Sequence, residues 1–238
     1  RVTARKWVHA AWSLAQKKID PYRLWIERAR RHKLSPWISM RMNDLHNVDD
    51  PDSYMHSTFW RQHPEFRRMP WRTADWRDRA FDYAHAEVRE YHFRLVEEYC
   101  ERYDFDGLEL DWMRFGFHLR PGREIEDGAL LTGFVKRTRR LLDAWEKRRG
   151  HRILLGARVP SRPQTALSLG LDGALWEREG LIQMLVVTPF WATAEGDMPL
   201  ELWRALLAGT GTLLAAGLEI LLRAHPRVRF LTSHTAVD

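Results

Sequence analysis

Two carboxylates stand one residue apart in Gly107-Leu108-Glu109-Leu110-Asp111-Trp112-Met113-Arg114, inside an otherwise apolar run. Side chains alternate along a strand, so Gly107, Glu109, Asp111 and Met113 share one face and Leu108, Leu110 and Trp112 the other. Acids on a buried face are unfavourable unless paired or hydrogen-bonded. A pair of this kind can move protons or act as a nucleophile. A third acid, Glu219, is the only charge in the apolar stretch 214–220. The same parity in 37–43 sets Ser39, Arg41 and Asn43 opposite Ile38, Met40 and Met42, with Asp44 and His46 just beyond. In 153–158 it sets Leu154, Gly156 and Arg158 opposite Ile153, Leu155 and Ala157.

The elements that must position these groups alternate along the chain. Asp20 followed by Pro21 opens a helix over 21–32, and 37–42 reads as a strand. Residues 43–73 form a long irregular stretch, and loops of that length in compact domains are commonly functional. Phe81, Ala84, Val88, Tyr91, Leu95 and Tyr99 recur at helical spacing, which predicts a helix over 75–102. Strands are expected at 105–112, 152–159, 182–190 and 212–222. Helices are expected over 127–149, before Gly180, and over 200–207. Five strands separated by helices imply repeated βαβ units in a parallel sheet. Closed eight-stranded barrels take about 250 residues, so the expectation is an α/β chain forming an incomplete (β/α)8 barrel, roughly strands three to seven. The alternative is a doubly wound sheet, against which stands the lack of a glycine-rich phosphate loop after an early strand.

The segment Asp106-Gly107-Leu108-Glu109-Leu110-Asp111-Trp112 resembles the fourth-strand motif of glycoside hydrolase barrels. The chitinase-type family 18 pattern is Asp-Gly-x-Asp-x-Asp-x-Glu. The closer resemblance is to the family-10-like glycosyl hydrolases, whose strand reads Asp-Gly-hydrophobic-x-Leu-Asp-aromatic-x-Arg. Asp106, Gly107, Leu110, Asp111, Trp112 and Arg114 fit that second pattern. The resemblance implies a single barrel domain over 1–238 that hydrolyses a poly- or oligosaccharide, with carbohydrate as its partner and no cofactor or metal. One departure matters: the family 18 acid position is Met113, and a thioether cannot donate a proton. The acid then comes from elsewhere, or the chain binds glycan without cutting it.

With the carboxylate strand counted as the fourth, the Glu219 strand is the seventh, the position of the nucleophile in many retaining barrel glycosidases. The expected catalytic set is therefore Asp111, Glu219 and Glu109, the last tuning Asp111. Arg41, Asn43, His46, Arg114, Arg158 and Trp191 are the expected substrate-binding residues. The arginines can bond sugar hydroxyls or clamp an anion, or instead pair with Glu109 and Asp111. Of the twelve tryptophans, Trp60, Trp71, Trp112 and Trp191 are further candidates to stack on sugars; parity sets Trp112 against a helix.

Composition narrows the alternatives. With 45% hydrophobic and 29% charged residues the chain is an ordinary globular sequence, and no apolar run is long enough to span a bilayer. Cys100 is the only cysteine, which excludes an internal disulfide and cysteine-based zinc sites. The net charge is +6, with arginine greatly outnumbering lysine. Because Glu87, Arg89, Glu90, Arg94, Glu97 and Glu98 interleave their signs, a solvated helix face is expected rather than a nucleic-acid surface. His46, Asp49, Asp50, Asp52 and His56 cluster without metal-ligand spacing and read as a solvated turn. No Gly-x-Ser-x-Gly elbow occurs to support serine hydrolase chemistry. Neither end carries a signal segment or a closing element, so the chain is expected to be a piece of a longer one.

Overall fold

Apolar side chains at every second position of four successive segments create the surface on which the fold is built. In the computed structural model these segments are parallel strands: β1 (Trp37–Arg41), β2 (Gly107–Asp111), β3 (Leu154–Pro160) and β4 (Met184–Thr188), joined by β5 (Leu213–Ala216). The structure describes residues 2–72, 74–189 and 198–218, with side chains from residue 5 onward, and the backbone of 221–222 and 229–230. The strand order is β1-β2-β3-β4-β5, each strand pairing in parallel with the next. A doubly wound sheet reverses its order at a switch point; among the described residues this sheet shows no reversal, which is compatible with part of a barrel. Right-handed crossovers in a sheet wound one way place all connecting helices on one face.

That face is apolar and closed. Leu108, Leu110, Trp112, Leu155, Ala157, Val159, Leu185 and Val187 are fully buried in one cluster. It is covered by Val88, Phe93 and Val96 of helix α4 (Ala86–Arg102) and by Leu131, Phe134, Val135 and Leu142 of α5 (Glu124–Arg149). Removing each such side chain from water contributes about 1.5–3 kcal/mol before ordering costs. Gly150, at φ 76°, ends α5 in the left-handed conformation that favours glycine. The opposite face carries Trp37, Ser39, Arg41, Glu109, Asp111 and Arg158, and is only partly closed, since Ser39, Arg41 and Leu213 are exposed. Among the described residues β1 and β5 each have one neighbour, so the sheet is open at both edges.

Several expected boundaries move. The helix predicted from residue 75 begins at Ala86. Residues 66–82 instead fold back on themselves: Arg67 bridges Phe81, Arg68 N–H donates to the Ala80 carbonyl at 2.9 Å, and Asp82 N–H donates to the Phe66 carbonyl at 2.8 Å. The buried stripe of α4 is Val88, His92, Phe93, Val96 and Cys100, one position off the predicted one, with Leu95 and Tyr99 half-buried beside it. The strand predicted over 212–222 ends at Ala216; residues 221–222 pair antiparallel with 229–230 in a separate two-stranded sheet. The long loop holds a short helix, α3 (Thr58–Gln62), and two helices flank β1 on its N-terminal side: α1 (Val2–Gln16), not predicted, and α2 (Pro21–Arg31). Asp20 caps α2 by accepting from the N–H groups of Tyr22 and Arg23. The remaining helices are α6 (Pro163–Ser168), α7 (Gly173–Arg178) and α8 (Leu200–Leu206).

Two glycines on the open face make room for one indole. A Cβ at Gly107 would lie 2.2 Å from the Trp37 ring, and one at Gly156 would meet Met184 at 2.9 Å and Trp37 at 3.0 Å. Trp37 therefore lies across β2 and reaches β3, forming an apolar floor one register step below the acids. Gly107→Ala must displace that ring, and overpacking of this kind costs about 1–3 kcal/mol; urea denaturation should show a loss in that range.

A second prediction concerns acid. Burial lowers His92 to about 4 and His118 to about 3, although each ring also bonds a backbone carbonyl, Val88 and Trp112 respectively. Both are neutral in the fold, so as pH falls below the ordinary histidine value of 6.5 the unfolded chain takes up protons first. Their contribution is complete above that value and is lost as pH falls toward 4 and 3. The loss is on the order of 3 kcal/mol for His92. Acid unfolding followed by circular dichroism should therefore move to lower pH in His92→Gln.

Candidate active site

Parallel register brings the polar residues into rows across the sheet. Ser39, Glu109, Gly156 and Met184 form one row, and Arg41, Asp111, Arg158 and Val186 the next. The second row lies toward the carboxyl ends of the strands, where loops rather than helices surround the sheet.

Glu109 is 6% exposed and Asp111 7%. Each is compensated by particular donors. Glu109 Oε1 accepts from Ser39 Oγ at 2.7 Å and from Arg158 Nη2 at 3.1 Å. Asp111 Oδ1 accepts from the backbone N–H groups of Met113 and Arg114, both at 3.0 Å, in a turn that closes the end of β2. Arg158 Nε lies 3.9 Å from the same oxygen, so one guanidinium serves both acids. Among the described residues Asp111 Oδ2 accepts no hydrogen bond. It is the one carboxylate oxygen of the pair left over for a ligand on the side of Oδ1's turn, whereas Glu109 is held through Oε1 and, more weakly, Oε2 at 3.4 Å from Arg158.

A second chain of contacts extends from Asp111 across the strand ends. Arg114 Nη2 lies 3.2 Å from His46 Nε2, and His46 Nδ1 lies 2.6 Å from Asp44 Oδ1. A guanidinium only donates, so Nε2 accepts and the proton sits on Nδ1, pointing at Asp44. The His46 backbone N–H also donates to Asp44 Oδ1 at 2.9 Å, and Arg41 Nη1 donates to Oδ2 at 3.1 Å. Burial pushes the Asp44 carboxyl up, but these hydrogen bonds outweigh it and hold Asp44 below the usual carboxylate range. Phe115 packs edge-on against the His46 ring, with centroids 5.2 Å apart. Arg41, Asp44, His46, Arg114, Asp111, Arg158, Glu109 and Ser39 thus form one connected polar system.

The predicted residues divide three ways. Glu109, Asp111, Arg41, His46, Arg114 and Arg158 come together here. Glu219 and Trp191 lie outside the described residues. Asn43 does not face the open side: it is buried, its Nδ2 donates to the carbonyls of Phe81 and Phe117 at 3.0 Å each, and its Oδ1 accepts from Phe81 N–H at 3.1 Å. Its amide is fully used in joining two loops, so its place is structural rather than in substrate contact. Asp106, the first residue of the motif, lies at the opposite end of β2, bonded by Arg30 Nη2 at 2.7 Å.

The tryptophans separate too. Trp112 is buried against Tyr83, Phe134 and Trp176 on the helix face, as parity requires. Trp60 is also buried, its ring stacked on His56 and covered by Arg67. The acidic-histidine turn has an internal role: His56 Nε2 lies 3.0 Å from the carbonyls of both Asn47 and Asp50. No group of three or more His, Cys, Asp or Glu side chains among the described residues is arranged to hold a metal ion. Sequence reasoning missed Ser39 as the donor to Glu109 and Asp44 as the link between Arg41 and His46. Strand parity had placed Ser39 on the correct face, but no local pattern identifies its partner 70 residues away.

Removing the shared cation should expose the energetics. Arg158→Met leaves Glu109 and Asp111 facing each other, and breaking a fully buried pair costs about 3–5 kcal/mol. Arg158 is itself about one-third exposed, so the expected loss in urea unfolding is smaller, about 2 kcal/mol. Adding Glu109→Gln should restore part of it.

No protein-family model matches the chain, and no curated protein matches it in sequence. Among solved structures it is similar to a glycoside hydrolase family 18 N-acetylglucosaminidase from Paenibacillus barengoltzii, with 19% identity and a TM-score of 0.38. The match covers 58% of this chain, and the chain spans 46% of the length of that protein. A likeness of that size carries no weight for activity, which leaves the site's own geometry as the basis for one.

Proposed function

We propose that the chain is the central arc of a (β/α)8 barrel that hydrolyses glycosidic bonds of a poly- or oligosaccharide, with Asp111 as one catalytic carboxylate and Glu219 as the other. The observation that carries this reading is the cluster of buried Glu109 and Asp111 with Arg158, toward the carboxyl ends of two adjacent parallel strands. Active sites of such barrels form at that end. A sheet wound one way without a switch point is the arrangement a barrel arc requires. Stabilising an oxocarbenium-like transition state calls for an ionised carboxylate held in fixed geometry beside the ring. The turn on Oδ1 would supply the fixing for Asp111, leaving Oδ2 to face the sugar.

In this reading Glu109 and Arg158 set the position and charge of Asp111, while Arg41, His46 and Arg114 orient the sugar through hydroxyl contacts. Glu219 would approach from the strand following β4. The two carboxyl groups would stand about 5–5.5 Å apart in a retaining enzyme and about 6.5–9.5 Å apart in an inverting one.

A second reading is favoured by one observation. Position 113, the acid of the family 18 pattern, is a buried methionine, which suits a barrel that holds glycan without cleaving it. The test is release of reducing ends from a panel of neutral and acidic polysaccharides. Wild-type protein should release them, and Asp111→Asn and Glu219→Gln should each lose at least about a hundredfold in rate with unchanged circular dichroism. Near-wild-type turnover in Asp111→Asn removes the catalytic assignment, and binding without release by wild type selects the second reading.

A further inference from the structure

We propose a second carbohydrate subsite, for a neutral glycosyl unit, in the cavity between the start of α4 and the start of α5, built by Asp82, His85 and Arg120, with Trp71 beside Arg120. The proposal rests on the glycan-acting reading above and names a place where a longer chain would be gripped away from Asp111.

The cavity measures about 340 Å³ and is lined by Asp82, His85, Arg120, Arg123, Asp127 and Leu130. Residues 82–85 end the β1–α4 connection and residues 120–123 end the β2–α5 connection. Both therefore lie on the same end of the sheet as Asp111 and His46. The two connections are fastened to each other: Tyr83 N–H donates to the His118 carbonyl at 2.8 Å, and Arg68 Nε donates to the Leu119 carbonyl. The cavity walls are thus held by hydrogen bonds between loops rather than by one mobile segment.

Asp82 supplies the observation that points to a ligand. It is 1% exposed, its Oδ1 accepts from Ala84 N–H at 2.9 Å, and its second oxygen accepts nothing from the described residues. Burial raises its carboxyl above the ordinary value, against the pull of His85, Arg120 and Arg68. Asp82 lines the cavity and this oxygen is open to it, so a ligand hydroxyl there would supply a donor. Arg120 is complementary. It forms no ion pair among the described residues, and its guanidinium lies 5.1 Å over the Trp71 ring. Arg123, by contrast, is already held by Asp127 at 3.1 Å and Glu126 at 2.7 Å.

Charge decides the ligand class. Two arginines and two acids line the cavity; Arg123 pairs with Asp127, which leaves Arg120 with Asp82, so an anion that gains the one open guanidinium also meets a carboxylate. A neutral polyol donates to Asp82 and accepts from Arg120 at once. Trp71 is 65% exposed and carries Arg120 against its ring, so a sugar bonded to Arg120 has an exposed indole within reach to pack on.

The test uses the Asp111→Asn protein, so that turnover does not intervene. Di- to hexasaccharides of the gluco-, xylo-, manno- and N-acetylglucosamine series are titrated and followed by tryptophan fluorescence and calorimetry. Arg120→Ala, which alters an exposed side chain, and Asp82→Asn should each weaken binding of the longer oligosaccharides about tenfold or more, the effect of losing a hydrogen bond to a charged group. The disaccharides should bind as before. Trp71→Ala should abolish the fluorescence change that the longer ligands produce. Equal affinity for long ligands in all three variants overturns the subsite while leaving hydrolysis at Asp111 intact. Failure of every oligosaccharide to bind overturns it as well. If wild type releases no reducing ends but Arg120-dependent binding persists, hydrolysis is excluded and the subsite stands.

Discussion

A single guanidinium shared by two carboxylates governs what β2 can be. Glu109 and Asp111 lie on one face of a strand that is buried along its whole length, and transfer of such groups out of water costs several kcal/mol each. Arg158 stands in register with Asp111 on the adjacent strand and also reaches back to Glu109. Ser39 completes Glu109 from the other side. Three strands are therefore tied by one charge cluster, and shifting any of them by one residue would send the acids or the arginine into the leucine layer. The cluster is poor as a source of net stability but strong as a determinant of register.

The cluster is placed from beneath by packing and from above by loops. Trp37, accommodated by glycines at 107 and 156, fills the space below the acids with apolar surface. Above them, Asn43 joins the loops at Phe81 and Phe117, Tyr83 hydroxyl donates to the Met42 carbonyl, and His118 bonds the Trp112 carbonyl. These buried side chains face backbone groups of the segments leaving β1 and β2. Their effect is to fix where Asp44, His46 and Arg114 emerge, and so to hold the outer half of the polar system against the inner half.

Much of this was legible from alternation alone. Parity located β1 to β4 within a few residues, put Trp112 against the helices and set the acids and Arg158 on the other face. Local signals failed where long-range backbone pairing overrode them. The helical spacing of Phe81 and Ala84 continues into α4, yet Arg67 and Arg68 draw residues 80–82 into a bridge that no window of sequence reveals. Asn43 was assigned to the open face because it continues the parity of Arg41. The strand stops at Arg41, and two residues later alternation no longer dictates direction. The apolar run 212–222 looked like one strand because apolar content does not mark where pairing with β4 ends.

Charge balance constrains what the open face can recognise. Arg41, Arg114 and Arg158 oppose Asp44, Glu109 and Asp111. The system is thus electrically balanced as it stands, unlike a site built to hold an anion, where cations would exceed acids. Its donors and acceptors alternate in space instead: guanidinium, carboxylate, imidazole, guanidinium, carboxylate. Such alternation matches a ligand whose own groups donate and accept by turns, as ring hydroxyls do, and discriminates against one that brings net charge. The Asp82 cavity, lined by two arginines and two acids, is balanced in the same way, and this balance is the ground on which the proposed sites are assigned neutral, hydroxyl-rich ligands.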